Sequence, residues 1–116
     1  MQDFRKLKVW EKAHNLTLLV YQLTMNFPRE ELFGLRTQLR KTCVEIPAYI
    51  AEGCGKPNDA EFARCLHIAL SFANRFEYYV LLAFDLEIFT EEDNTQINAE
   101  LIEVKKMLHT FSQRLR

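Results

Sequence analysis

Apolar residues recur along this chain at intervals of three and four, in four stretches separated by three groups of helix-breaking residues. The first stretch, about 7–25, sets Val9, Ala13, Leu16, Val20 and Leu23 on one side of a helix. It ends at Phe27-Pro28, because the residue before a proline avoids the α region. The second, about 34–52, carries Leu35, Leu39, Cys43, Ile46 and Ile50. Gly53-Cys54-Gly55-Lys56-Pro57 reads as its stop. Pro47 lies inside this stretch, where a proline costs about 3 kcal/mol. The apolar pattern keeps its phase across Pro47, so a kink near 43–47 is expected in place of a break. The third stretch, about 59–87, opens on Asn58 and Glu61, which resemble a capping box. Phe62, Cys65, Leu66, Ala69, Phe72, Ala73, Phe76, Val80 and Ala83 line one face, along roughly 40 Å of helix. The fourth, about 91–115, has Thr90 as N-cap and Glu91, Glu92 and Asp93 at the positive end of the helix dipole. Ile97, Leu101, Val104, Leu108, Phe111 and Leu115 form its stripe. Short connections between long amphipathic helices predict one all-α domain over residues 1–116, an up-and-down four-helix bundle.

A bundle helix needs one apolar stripe. The fourth helix has that and no more, whereas the first three carry extra. A second group on helix 1, Trp10, Leu18, Tyr21 and Met25, centres roughly 130° from its core stripe, with His14 and Thr17 in or beside it. Helix 2 shows Thr37, Val44, Ala48 and Ala51 away from its core, and residues 42–51 hold one charge, Glu45. Tyr78, Leu81 and Leu82 fall off the core stripe of helix 3. Helices that are apolar on more than one side in a short chain imply burial against another chain. The expectation is therefore a homo-oligomer, with Trp10, His14, Leu18, Tyr21, Met25, Val44, Ala48 and Ala51 at its interface and helix 4 facing outward.

Composition adds a charge asymmetry. The net charge is -1, yet residues 1–56 carry nine Lys/Arg and six Asp/Glu, a balance of +3, and residues 57–116 carry six and ten, a balance of -4. A basic group stands on helix 2 and its exit: Arg36, Arg40, Lys41 and Lys56, with Arg64 opening helix 3. Such a group can attract a phosphate backbone of RNA or DNA. It can equally pair with acids inside or between chains, as Lys41 could with Glu45. The most apolar stretch, Leu66 to Phe84, contains His67, Asn74, Arg75 and Glu77, too polar for a membrane span. Three cysteines within helical patterns suit buried thiols in a reducing cytoplasm.

Catalytic and metal patterns are weak. Glu11-x-x-His14 has di-iron spacing, but a second copy is missing, because the residue three before His109 is Lys106. Cys65 and His67 are two apart and point to different helix faces, and zinc spacing is absent. No phosphate loop or dinucleotide fingerprint occurs. Neither enzyme activity nor a cofactor is expected.

Several blocks resemble one family. They are Phe4-x-x-Leu7-x-Val9-Trp10-x-x-Ala13, Phe27-Pro28, Phe33-Gly34-Leu35-x-x-Gln38-Leu39-Arg40-Lys41, Ile46-Pro47-x-x-Ile50-Ala51-Glu52-Gly53 and Glu77-Tyr78-Tyr79. The chain resembles the bacterial four-helix-bundle proteins first noticed as products of intervening sequences in 23S ribosomal RNA genes. The accessory protein of diversity-generating retroelements looks like a relative. It departs from the pattern at Glu45 and Tyr49, where Ser and Asn are frequent, and at Ser71-Phe72 and Arg75. The resemblance implies a cyclic homopentamer without enzymatic activity. It also implies, from the retroelement relative, binding to nucleic acid and a reverse transcriptase through a basic surface. Only Arg40 and Lys41 fall in a matching basic block; Arg36, Lys56 and Arg64 are added from this sequence.

Overall fold

The computed structural model describes residues 2–31 and 34–115. Four α-helices make the frame: α1 (Lys8–Leu23), α2 (Leu35–Cys54), α3 (Asp59–Asp85) and α4 (Glu91–Arg114). Short 3₁₀ turns at Phe4–Lys6 and Arg29–Glu31 precede α1 and α2, and the described residues contain no strand. Each helix packs on its sequence neighbours, and α1 also packs on α4, closing an up-and-down square about 44 Å long.

The apolar stripes meet in the middle. Leu16, Leu39, Ile46, Leu66, Phe76, Ile97, Leu101 and Leu108 are among the side chains sealed from solvent. Buried polar groups stay satisfied locally. Thr17, Thr24 and Thr42 each donate to the carbonyl four residues back, at 2.9, 2.7 and 2.7 Å. Among the described residues no buried side-chain nitrogen or oxygen lacks a partner. The two ends are closed by aromatic pairs. Phe27 meets Phe89 edge to face at 5.3 Å, where the α1–α2 and α3–α4 connections come together. At the other end Phe62 meets Phe111, also at 5.3 Å.

The capping residues act as expected and go further. The Asn58 side chain accepts from the Glu61 N–H at 2.9 Å and donates to the Glu61 carboxylate at 3.0 Å. Thr90 and Asp93 form a reciprocal capping box. The helix ends correct the sequence reading. α1 stops at Leu23, and residues 24–26 form a turn. α3 stops at Asp85, not at Glu87, because Glu87 takes a left-handed φ of 62° while the Ile88 and Phe89 N–H groups fold back on the Ala83 carbonyl.

α2 runs unbroken through Pro47 and ends inside the expected stop, at Cys54 with Gly55 as its C-cap, so Gly53 itself is still helical. Gly53 is buried within the helix, and a Cβ there would stand 2.7 Å from the Phe62 ring and 3.0 Å from Cys65 Cβ. The glycine serves close approach of α3 to α2, and its backbone is ordinary helix.

Two expectations about stripes also change. Leu82 packs against the core and is half-buried, so it is not surplus. α4 is not limited to one stripe, because Ile102 stands out 47% exposed on its outer side.

Candidate interaction surface on α1 and α2

The surplus apolar residues of the first two helices gather on one outer face. On α1 they follow as 10, 14, 18 and 21, a spacing of four, four and three that keeps one side of the helix, and Met25 follows in the turn beyond it. The side facing α4 is marked by Lys12, paired with Glu103 at 3.1 Å. The side facing α2 is marked by Thr17, 3.7 Å from the Cys43 sulfur. On α2, Arg40, Val44, Ala48 and Ala51 keep a matching spacing, and Arg40 reaches across to α1. The two rows therefore form one surface.

The chain treats its members differently. Trp10 and His14 are half-buried, with rings stacked at 4.8 Å, and Phe4 packs edge-on against Trp10 at 5.0 Å. The 3₁₀ turn before α1 thus covers this end from within. Ala51 is half-buried and Ala48 exposed. Leu18 stays 56% exposed and Met25 64%, with Tyr21 and Val44 also open.

The basic residues do not form one site. Arg36, Arg40 and Lys41 lie at the start of α2, bordering a shallow depression with Tyr21. Lys56 and Arg64 lie at the far end, beyond about 20 Å of helix rise. Lys56 is occupied there by Glu52 at 3.7 Å, and Arg64 is exposed.

Arg40 is a fastening residue. Its Nε donates to the Thr24 hydroxyl at 2.8 Å, one Nη donates to the Tyr21 carbonyl at 2.9 Å, and the guanidinium lies 4.4 Å from the Tyr21 ring centre. The last carbonyls of a helix lack partners within it, and its negative end favours a cation. Arg40 supplies both to the end of α1. Burial, then the charge of Arg36, lower its pKa from the ordinary value, against an opposing contribution from Tyr21. No Lys41–Glu45 ion pair forms among the described residues, which corrects that expectation. Arg36 and Lys41 likewise make no ion pair there. Sequence reasoning missed Thr24, whose place three residues before Phe27-Pro28 was the available sign of a helix end needing a partner.

A protein-family model described as 23S rRNA-intervening sequence protein matches residues 5–110. The chain belongs to this family. A solved structure of similar fold is a protein of unknown function from the S23 ribosomal protein family of Bacteroides thetaiotaomicron, 27% identical, with a TM-score of 0.81 over 90% of this chain and 97% of that one. No curated protein matches the sequence. Neither the family nor this neighbour indicates a catalytic class.

Tyr49 on α2 stacks on Phe72 of α3, ring centres 5.6 Å apart and planes 19° from parallel. Arg75 covers the Phe72 ring at 5.7 Å. Block Phe33-Gly34-Leu35 begins on a residue outside those described.

Chemistry elsewhere is sparse. Among the described residues no three His, Cys, Asp or Glu side chains gather closely enough to hold a metal ion. All three cysteines are free and buried. Burial pushes the Cys43 thiol up to about 12, against the hydrogen bond it shares with Thr17, and also raises Cys54 and Cys65. A thiol held protonated is a poor nucleophile. No helix of the described residues is long and apolar enough to cross a membrane.

Proposed function

We propose that this protein is a non-catalytic assembly module that packs against copies of itself through the outer face of α1 and α2, in the reducing cytoplasm that suits its free thiols. The observation that carries this reading is the exposed apolar row of Leu18, Tyr21 and Met25 beside Val44. Covering apolar surface returns about 25 cal/mol per Å², and Ala48 and Ala51 next to the row let another backbone come close. Tyr78 and Leu81 on α3 offer a second, unlike patch. Unlike patches on one chain suit head-to-tail contacts, which close into a ring where the rotation allows. A pentamer is the ring that the family resemblance implies.

Light scattering tests the reading directly. The expected mass is a fixed multiple of 13.7 kDa, and Leu18→Glu with Val44→Glu should return a folded single chain. A wild-type particle of 13.7 kDa across the working concentration range would refute it.

A second reading, favoured by the charges of Arg36 and Lys41, which make no ion pair among the described residues, makes nucleic acid a partner. A ring would repeat these cations around its axis, where phosphate contacts are salt-sensitive. Gel shifts with structured RNA should weaken by about tenfold or more between low and physiological salt. Arg36→Glu with Lys41→Glu should remove the shift without altering the particle mass. Arg40 is a poor probe, because its substitution also releases the end of α1.

A further inference from the structure

At the end of the bundle far from Arg40, a cleft of about 500 Å³ opens between the start of α1 and the last turns of α4. Its floor is apolar. Leu7 and Val9 form one wall, and Met107 and Phe111, four apart on α4, form the other. Its rim is cationic. Lys106 and Arg114 lie two turns apart along one edge of α4, and Lys8 stands across the opening as the first residue of α1.

Among the described residues none of the three cations is ion-paired; the four pairs found there lie elsewhere. Arg114 suits the negative end of α4, so it needs no further explanation. Lys8 is opposed by the positive end of α1, and Lys106 stands well inside α4. Gathering like charges around an apolar hollow costs stability in a chain whose net charge is -1. A bound anion would offset that cost.

We propose that this cleft binds a small amphipathic carboxylate, a medium-chain acyl or aryl acid. The carboxylate lies among Lys8, Lys106 and Arg114, and the apolar body covers Leu7, Met107 and Phe111. Charge-assisted hydrogen bonds fix the anion, and the floor selects against inorganic ions that cannot cover it. The volume falls within the range of about 300–1,000 Å³ usual for small-molecule pockets. The cleft shares no residue with the α1–α2 face, so it stands or falls independently of self-assembly.

The test is calorimetric titration of the full chain with octanoate, with acetate and octan-1-ol as controls lacking the body and the charge. One saturable octanoate site per chain is expected, with Kd below about 1 mM. Lys106→Glu with Arg114→Glu should weaken it about tenfold or more, while Lys41→Glu, a like charge change at the other end, should leave it unchanged. Octanoate should raise the melting temperature of the wild type and not of the double variant. No saturation up to millimolar octanoate, equal binding of octan-1-ol, or an unaffected double variant would each overturn the proposal.

Discussion

At its N-terminal end α2 is fastened to α1 by a guanidinium group, and at its C-terminal end it meets α3 through the absence of a side chain. Arg40 works at the surface, with directional hydrogen bonds to Thr24 and Tyr21 and a ring beneath it. Gly53 works in the dry interior, where the Phe62 ring fills the space that a Cβ would take. The first joint is adaptable, because water can replace much of what is lost. The second is not, because a packed interior cannot absorb an added methyl group without moving a helix. Between them Cys43 occupies the sealed middle of the same helix.

The middle should show the largest effect, through pH. The Cys43 thiol has an ordinary value of 9.0 and is raised to about 12 in the fold. The folded state therefore keeps its proton while the unfolded chain loses it. Stability falls as pH rises from about 9 towards 12, by about 1.4 kcal/mol per pH unit for this group. Denaturant melts at successive alkaline pH values should show this slope, and Cys43→Val should lose it. An identical slope in that variant would show that the thiol is not sealed.

Gly53→Ala comes next. Overpacking costs about 1–3 kcal/mol, offset by about 1 kcal/mol of improved helix propensity, for a net loss of up to about 2 kcal/mol. Phe62→Leu in the same chain should recover part of that loss, read as coupling in a double-mutant cycle. Arg40→Ala should cost about 1 kcal/mol, with faster hydrogen exchange concentrated in the last turn of α1. Arg40→Lys should cost roughly half as much, since it keeps the charge and loses the fork. Should Arg40→Ala instead cost more than Gly53→Ala, the contrast between the two joints would be reversed.

Much of this was legible along the chain. The periodic apolar positions mark all four helices, and Asn58 and Thr90 mark two starts. The stop after α2 was legible and Gly55 caps it, whereas the role of Gly53 was not, because the demand for close approach comes from Phe62, in another helix. The surplus of Leu18, Tyr21, Met25 and Val44 was visible from spacing, but the partial cover that Phe4 gives Trp10 was not, since a 3₁₀ turn has no periodicity to detect. The basic residues read as one group because they lie near one another in sequence; the length of α2 separates them in space.

Residue spacing was enough to set the helices, their faces and their order, because amphipathic period and capping act over three or four residues. Packing was needed before Arg40 could cap a helix it does not belong to, before Gly53 became a point of contact with α3, and before Lys8 met Lys106 and Arg114 across a cleft. Those roles depend on distances between groups far apart in the chain, and such distances exist only once the helices have packed.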